Sequence, residues 1–168
     1  DYSIKSVGWN EVPKGQISCS LRDLKEYLNN RDRESYSEYE VTNEDFSNAM
    51  KELSVKVDYD DLGGRKHPYC FKDIYNKMEG KDNQVYTRSL HAEENAFLQI
   101  SKYGGEGVAG GFLFTTASPC ELCAKKAYQL GISKIYYIDP YPGISNNHIL
   151  KFGSSGNPEM NLFYGAIG

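Results

Sequence analysis

A layered α/β domain is the fold class this sequence predicts, and three observations predict it. After residue 87 the pattern alternates helix, strand, helix, strand, which implies parallel strands joined by crossover helices. Both helices in that run end at a glycine, Gly104 and Gly131, as helices commonly do. The chain has 168 residues, 39% of them hydrophobic, enough for one domain (1–168) with a proper core.

The elements follow in order. "YSIKSVGWN" alternates enough to be a strand, with Ile4 and Val7 among its apolar members. Residues 11 to 87 are polar and tyrosine-rich, with charge runs such as "RDRESYSEYE". They form a long insertion before the next helix, of the kind that gates a pocket or makes subunit contacts. Inside it, Leu21, Leu24 and Leu28, then Phe46, Met50 and Leu53, have helical spacing, and Asn43 is a plausible N-cap for the second helix. "DDLGGRKHP" is a loop. "SLHAEENAFLQISKYGG" is a helix, and "GGFLFTTA" is apolar enough to be a buried strand. "SPCELCAKKAYQLG" is a helix in which Ser118 is the N-cap, Pro119 the first helical residue and Glu121 the partner in a capping box. "SKIYYID" is a strand and "PYPG" a turn.

No run is apolar enough to span a bilayer, and "DYSIKSVGWN" lacks the pattern of a signal peptide. The chain has no initiator Met and opens inside the first strand, so a fragment or processed product is expected. A net charge of −4 makes a stable polynucleotide partner unexpected, because such binding leans on clustered Lys and Arg. The four cysteines are Cys19, Cys70, Cys120 and Cys123. The spacing of the last two is that of a metal or redox motif, so a reducing, cytoplasmic compartment is expected.

His91, Cys120 and Cys123 are three ligands of the type zinc prefers. The helices that bear them follow one another around a strand, so their N-termini point to the same sheet edge. Thiolates at a helix start are favoured by the dipole and by free backbone N–H groups. Three protein ligands and one open position describe a catalytic zinc, whose water has a pKa of about 7. Two other readings stay open. The C-x-x-C pair could be redox-active, or Cys19, Cys70 or His67 could close a structural site.

"HAEENA" with "FTTASPCELC" resembles the zinc-dependent nucleobase deaminases, whose signature is H-x-E with P-C-x-x-C. The wider stretch is similar to the deoxycytidylate branch, and within it to the deaminase domain of bacterial anti-phage dCTP/dCMP deaminases. The segments that carry this are "GWN", "HPYCF", "TRSLHAEENAFLQ", "ASPCELCAKKAYQLGI" and "YYIDPYPGIS". The resemblance implies a three-layer α/β/α cytidine deaminase-like fold with a central mixed sheet, here without its N-terminal helix and first strand.

It further implies Zn2+ on His91, Cys120 and Cys123, with Glu93 as the proton shuttle in attack of water at C4 of cytosine and loss of ammonia. By the same likeness Asn10 contacts the sugar and the Ser118 carbonyl holds the exocyclic amine. Tyr137 and Tyr141 lie where the substrate base packs, although a core role is the default for tyrosine. Arg88 is the leading candidate for the phosphate because it precedes the catalytic helix directly, ahead of Arg65, Lys66, His67, Lys125 and Lys126.

The expected substrate is a free deoxycytidine nucleotide, dCTP or dCMP, and the expected assembly a homo-oligomer. A kinase-like domain often accompanies such relatives, but no P-loop motif exists here. The competing readings are a deaminase of bases in RNA or single-stranded DNA, and a zinc-stabilised interaction domain without catalysis.

Overall fold

The computed structural model describes residues 3–30, 35–151, 153 and 156–163. The chain divides into two compact units, Glu11–Leu90 on one hand and Asp1–Asn10 with His91–Gly168 on the other.

The Glu11–Leu90 unit is helical. After a 3-10 turn at Cys19–Leu21 come α1 (Leu24–Asn29), α2 (Glu38–Thr42), α3 (Glu44–Val55) and α4 (Phe71–Glu79). Side chains mark the starts. Asp23 accepts from the Glu26 N–H, Ser37 and Glu40 form a reciprocal capping box, and Asn43 accepts from the Phe46 N–H as its sequence position predicts. Leu24, Tyr27, Phe46, Met50 and Tyr69 are buried together as the core. The ends of the unit meet in an antiparallel bridge between Glu11 and Leu90.

Its interior also holds an ion pair. Arg22 Nη2 lies 2.7 Å from Glu40 Oε1, with both side chains essentially sealed from solvent. The guanidinium sits over the rings of Tyr36 and Tyr69. The remaining lone pairs of Glu40 are met by the Tyr69 hydroxyl and by the Ser37 N–H and hydroxyl. Burial pushes the Glu40 carboxyl up, but the Arg22 ion pair and the Ser37 donors outweigh it and hold the group below its ordinary value.

The second unit is α/β. α5 (Ala92–Tyr103) precedes β1 (Phe112–Ala117), α6 (Glu121–Gln129), β2 (Lys134–Asp139), α7 (Ser145–His148) and β3 (Glu159–Leu162). The sheet order is β1-β2-β3, with both described pairings parallel. Leu113 and Ile135 meet Ala124 and Ala127 of α6, Leu150, and Phe97 of α5 in one core. The α/β class and the parallel crossover through α6 are thus present as expected. The resemblance implied a mixed sheet between two helical layers; the described residues supply three parallel strands with these helices on one face. On the other face Phe112, Phe114 and Ile138 are exposed, and Phe114 stacks on Tyr136. β1 is therefore half-buried, alternating exposed and buried, where a buried strand was expected from "GGFLFTTA".

Two local expectations are corrected. Residues 3–10 form no strand. They lie as a strap along α5, where the Ser6 hydroxyl donates to the Ala96 carbonyl and Asn95 Nδ2 donates to the Trp9 carbonyl. Side-chain bonds to the helix replace a strand ladder, and Ile4 and Val7 stay exposed. The Ser118 capping box also does not form. α6 starts at Glu121 with Cys120 as N-cap. Ser118 Oγ instead accepts from the Tyr141 N–H, and Glu121 Oε1 from the Ile144 N–H. Both acceptors of the motif are taken by the turn after β2.

Candidate metal centre

His91 is the N-cap of α5 and Cys120 the N-cap of α6, and neither side chain caps its own helix. His91 has extended backbone angles (φ −68°, ψ 155°), so its ring stands ahead of the helix. Cys123 lies in the first turn of α6 and is buried. The two helix starts are brought together at the carboxyl ends of the parallel strands. Ser118, next after β1, donates its N–H to the Asp139 carbonyl at the end of β2.

The result is a three-residue cluster. His91 Nδ1 lies 3.2 Å from Cys120 Sγ and 3.5 Å from Cys123 Sγ, and all three donor atoms fall within 4.8 Å of one another. Tetrahedral zinc with ordinary Zn–S and Zn–N bonds would need N···S edges of about 3.6 Å, so the donor set fits that ion. Among the described residues this is the metal-competent group, and it has three members, not the four of a closed structural site.

The electrostatics suit a cation. A hydrogen bond from Cys123, then one from His91, hold the Cys120 thiol down to about 4, while the bond to Cys120 and burial push Cys123 up. The pair gives up its first proton readily and shares the other. The hydrogen bond to Cys120 raises the His91 imidazole, against burial. Burial raises the Glu93 carboxyl, and the Cys120 thiolate adds to it, against the nearby Cys123 side chain, which lowers it. A carboxyl that is half-buried, raised and in contact with a metal-ligand thiol has the properties of a proton carrier.

The support around the cluster was missed by sequence reading. Asn10 Oδ1 accepts from the Ala92 N–H at 2.9 Å, capping the helix whose own N-cap is engaged elsewhere. Gly8 makes the strap's approach feasible: a Cβ there would fall 2.1 Å from the Ala92 carbonyl oxygen. Buried Asn95 ties the strap down through the Trp9 carbonyl. Glu94 pairs with Lys126 of α6, linking the two ligand-bearing helices, so Lys126 is not a free phosphate contact. The glycine and asparagine are visible in "GWN" and "EENA", but their partners depend on tertiary proximity.

The other candidates take these places. Tyr137 packs against the Leu113 and Ile135 core, the default role for such a tyrosine. Tyr141 is half-buried beside Gly143, and its N–H is the donor to Ser118. Lys125 is exposed. Arg65, Lys66, His67 and Arg88 belong to the Glu11–Leu90 unit. There Arg65 Nε donates to the Leu62 carbonyl, Lys66 Nζ to the Leu21 carbonyl, and the His67 N–H to Asp23. Arg88 Nη2 donates to Gln16 Oε1.

Residues 28–139 match the family described as the cytidine and deoxycytidylate deaminase zinc-binding region. The chain belongs to that family. The matched segment contains His91, Glu93, Cys120 and Cys123. Similar members include the ComE operon protein 2 of Bacillus subtilis, 43% identical over 54 residues, which are 32% of this chain and 28% of that protein. The deoxycytidylate deaminase of Enterobacteria phage T2 is 40% identical over 52 residues, 31% of this chain and 27% of its own length. Each match thus spans under a third of the relative. A solved dCMP deaminase of the cyanophage S-TIM5, in complex with dCMP and dUMP, is 30% identical with a TM-score of 0.40, covering 51% of this chain and 57% of that one.

Proposed function

We propose that this chain is a zinc-dependent hydrolase that deaminates a free deoxycytidine nucleotide, dCMP or dCTP. The observation that carries the reading is the His91–Cys120–Cys123 cluster with the raised carboxyl of Glu93 against it. Membership of the family supports the same reaction class.

His91, Cys120 and Cys123 would hold the ion. Zinc, when bound, supplies a water acidic enough to react near neutral pH. Glu93 takes the proton from the attacking water and delivers it to N3 of cytosine. It then carries a proton to the exocyclic amine as the C4–N bond breaks, leaving the uracil nucleotide and ammonia. Asn10, with its amide oxygen on Ala92, offers its Nδ2 donors to a sugar hydroxyl. Ser118 offers its carbonyl to the amine, its hydroxyl being engaged by the turn after β2. Tyr141, whose N–H anchors that turn, flanks the base, and Tyr137 supports the wall from the core. The wider likeness of the "HAEENA" and "SPCELC" segments extends the reading to cytoplasmic nucleotide depletion in anti-phage defence by a homo-oligomer, with a kinase-like partner.

The test is a panel of dCMP, dCTP, CMP, cytidine and a cytosine-containing oligonucleotide, with zinc measured in the same sample. Ammonia released from dCMP or dCTP is expected. Turnover of the oligonucleotide alone, or none with zinc bound, overturns the reading.

A further inference from the structure

Cys120 is held differently on its two sides. Its carbonyl accepts from the Ala124 N–H at 2.8 Å, so α6 fixes the backbone that follows it. The residue before it lies outside the helix, and Pro119 narrows what that backbone can do. The pyrrolidine ring locks φ of Pro119. One soft dihedral, its ψ, then sets the rigid peptide plane that carries the Pro119 carbonyl at one end and Cys120 Cα at the other. Tying that carbonyl therefore fixes how the Cys120 backbone enters the metal centre.

Ser145 ties it. The hydroxyl at the start of α7 donates to the Pro119 carbonyl at 2.6 Å. Ser145 is 1% exposed and Pro119 is fully buried, so solvent cannot replace the bond. Neighbouring bonds hold Ser145 in place. Glu121 Oε1 accepts from the Ile144 N–H at 3.2 Å, Ser118 Oγ accepts from the Tyr141 N–H at 2.8 Å, and Asn146 Nδ2 donates to Ser118 Oγ at 3.3 Å. The segment 141–146 thus grips Ser118, Pro119 and Glu121, on both sides of the cysteine.

We infer that Ser145 is a positioning residue for the metal: through the Pro119 carbonyl it sets the direction from which Cys120 presents its thiolate. It acts through the backbone of the ligand rather than by ligating, as the supports behind metal ligands do. The inference rests on the metal-binding reading of the cluster and not on the reaction.

Replacing zinc by cobalt(II) reads the site without turnover, because the visible bands of thiolate-bound cobalt follow sulfur distance and angle. Ser145→Ala is expected to shift those bands at saturating cobalt and to weaken cobalt binding about tenfold or more. Ser145→Thr, which keeps the hydroxyl, is expected to restore both. A hydroxyl that only stabilises the fold would lower the unfolding temperature and leave bands and affinity unchanged, and that result overturns the inference. If Ser145→Ala does not fold, Glu121→Ala against Glu121→Gln decides. The first frees the Ile144 N–H beside Ser145, and the second removes the charge but keeps an acceptor. Shifted bands and weaker binding in Glu121→Ala alone support the inference, and equal behaviour of the two overturns it. No thiolate–cobalt band in the unaltered chain overturns the metal centre and the role of Ser145 with it. Failure of deamination with cobalt normally bound would leave both standing.

Discussion

Glu93 and Glu94 are neighbours in the chain with opposite surroundings. Glu93 lies beside the ligand cysteines in a half-buried setting that raises its carboxyl. Glu94 holds Lys126 in an ion pair whose side chains are 26% and 42% exposed. Glu93→Gln is expected to lower turnover by roughly 10²-fold or more with zinc retained. Glu94→Gln removes a partly solvated pair and costs at most about 1 kcal/mol of stability. Rates and bound zinc measured on both variants check the contrast, and the reverse ranking would assign the proton to the other glutamate. The ligand set was legible because a metal motif is written in residue type and spacing. The Glu94–Lys126 pair was not, because it exists only once a strand has folded between two helices.

At the scale of elements, the strap and the start of α6 show how the same letters serve different ends. "SPCE" reads as a capping box, yet Ser118 and Glu121 bind the turn after β2, which leaves Cys120 to open the helix. Periodicity located α5, β1, α6 and β2 because each repeats its apolar positions over several residues. It misjudged residues 3–10, where hydrogen bonds to α5 decide the backbone and no ladder partner is present among the described residues. Gly8 is the element's sharpest test. A methyl group there meets the Ala92 carbonyl oxygen and the Ala96 nitrogen, backbone atoms that cannot swing aside. Gly8→Ala is expected to lift the strap, lower stability by about 1–3 kcal/mol and weaken zinc retention. Chelator competition beside thermal unfolding measures both.

At the scale of the whole molecule, the described residues form two cores of different chemistry. That of the second unit is aliphatic, whereas Tyr27, Tyr36 and Tyr69 serve the Glu11–Leu90 unit around a sealed Arg22–Glu40 pair. This explains why that segment looks merely polar in sequence: its core uses tyrosine, and its charges face inward as well as outward. The pair also sets an acid limit. Glu40 is held below its ordinary value, and so is Asp23, where the Glu26 and His67 N–H donors overcome the effect of burial. Their contribution is complete above the unfolded carboxylate value of about 4 and is lost as pH falls through the lower folded values. Tyrosine near-ultraviolet dichroism is expected to collapse below about pH 4. Glu40→Gln, which strands the Arg22 charge, is expected to cost about 3–5 kcal/mol at neutral pH.

The Asn10 cap gives the assembled centre its own clock. The first amides of a helix have no intrahelical acceptor and exchange quickly with solvent. Ala92 is held by Asn10, a residue far away in sequence that reaches it only when the strap is seated. In deuterium oxide its proton thus times the lifting of the strap beside His91, reporting each opening of the centre one amide at a time.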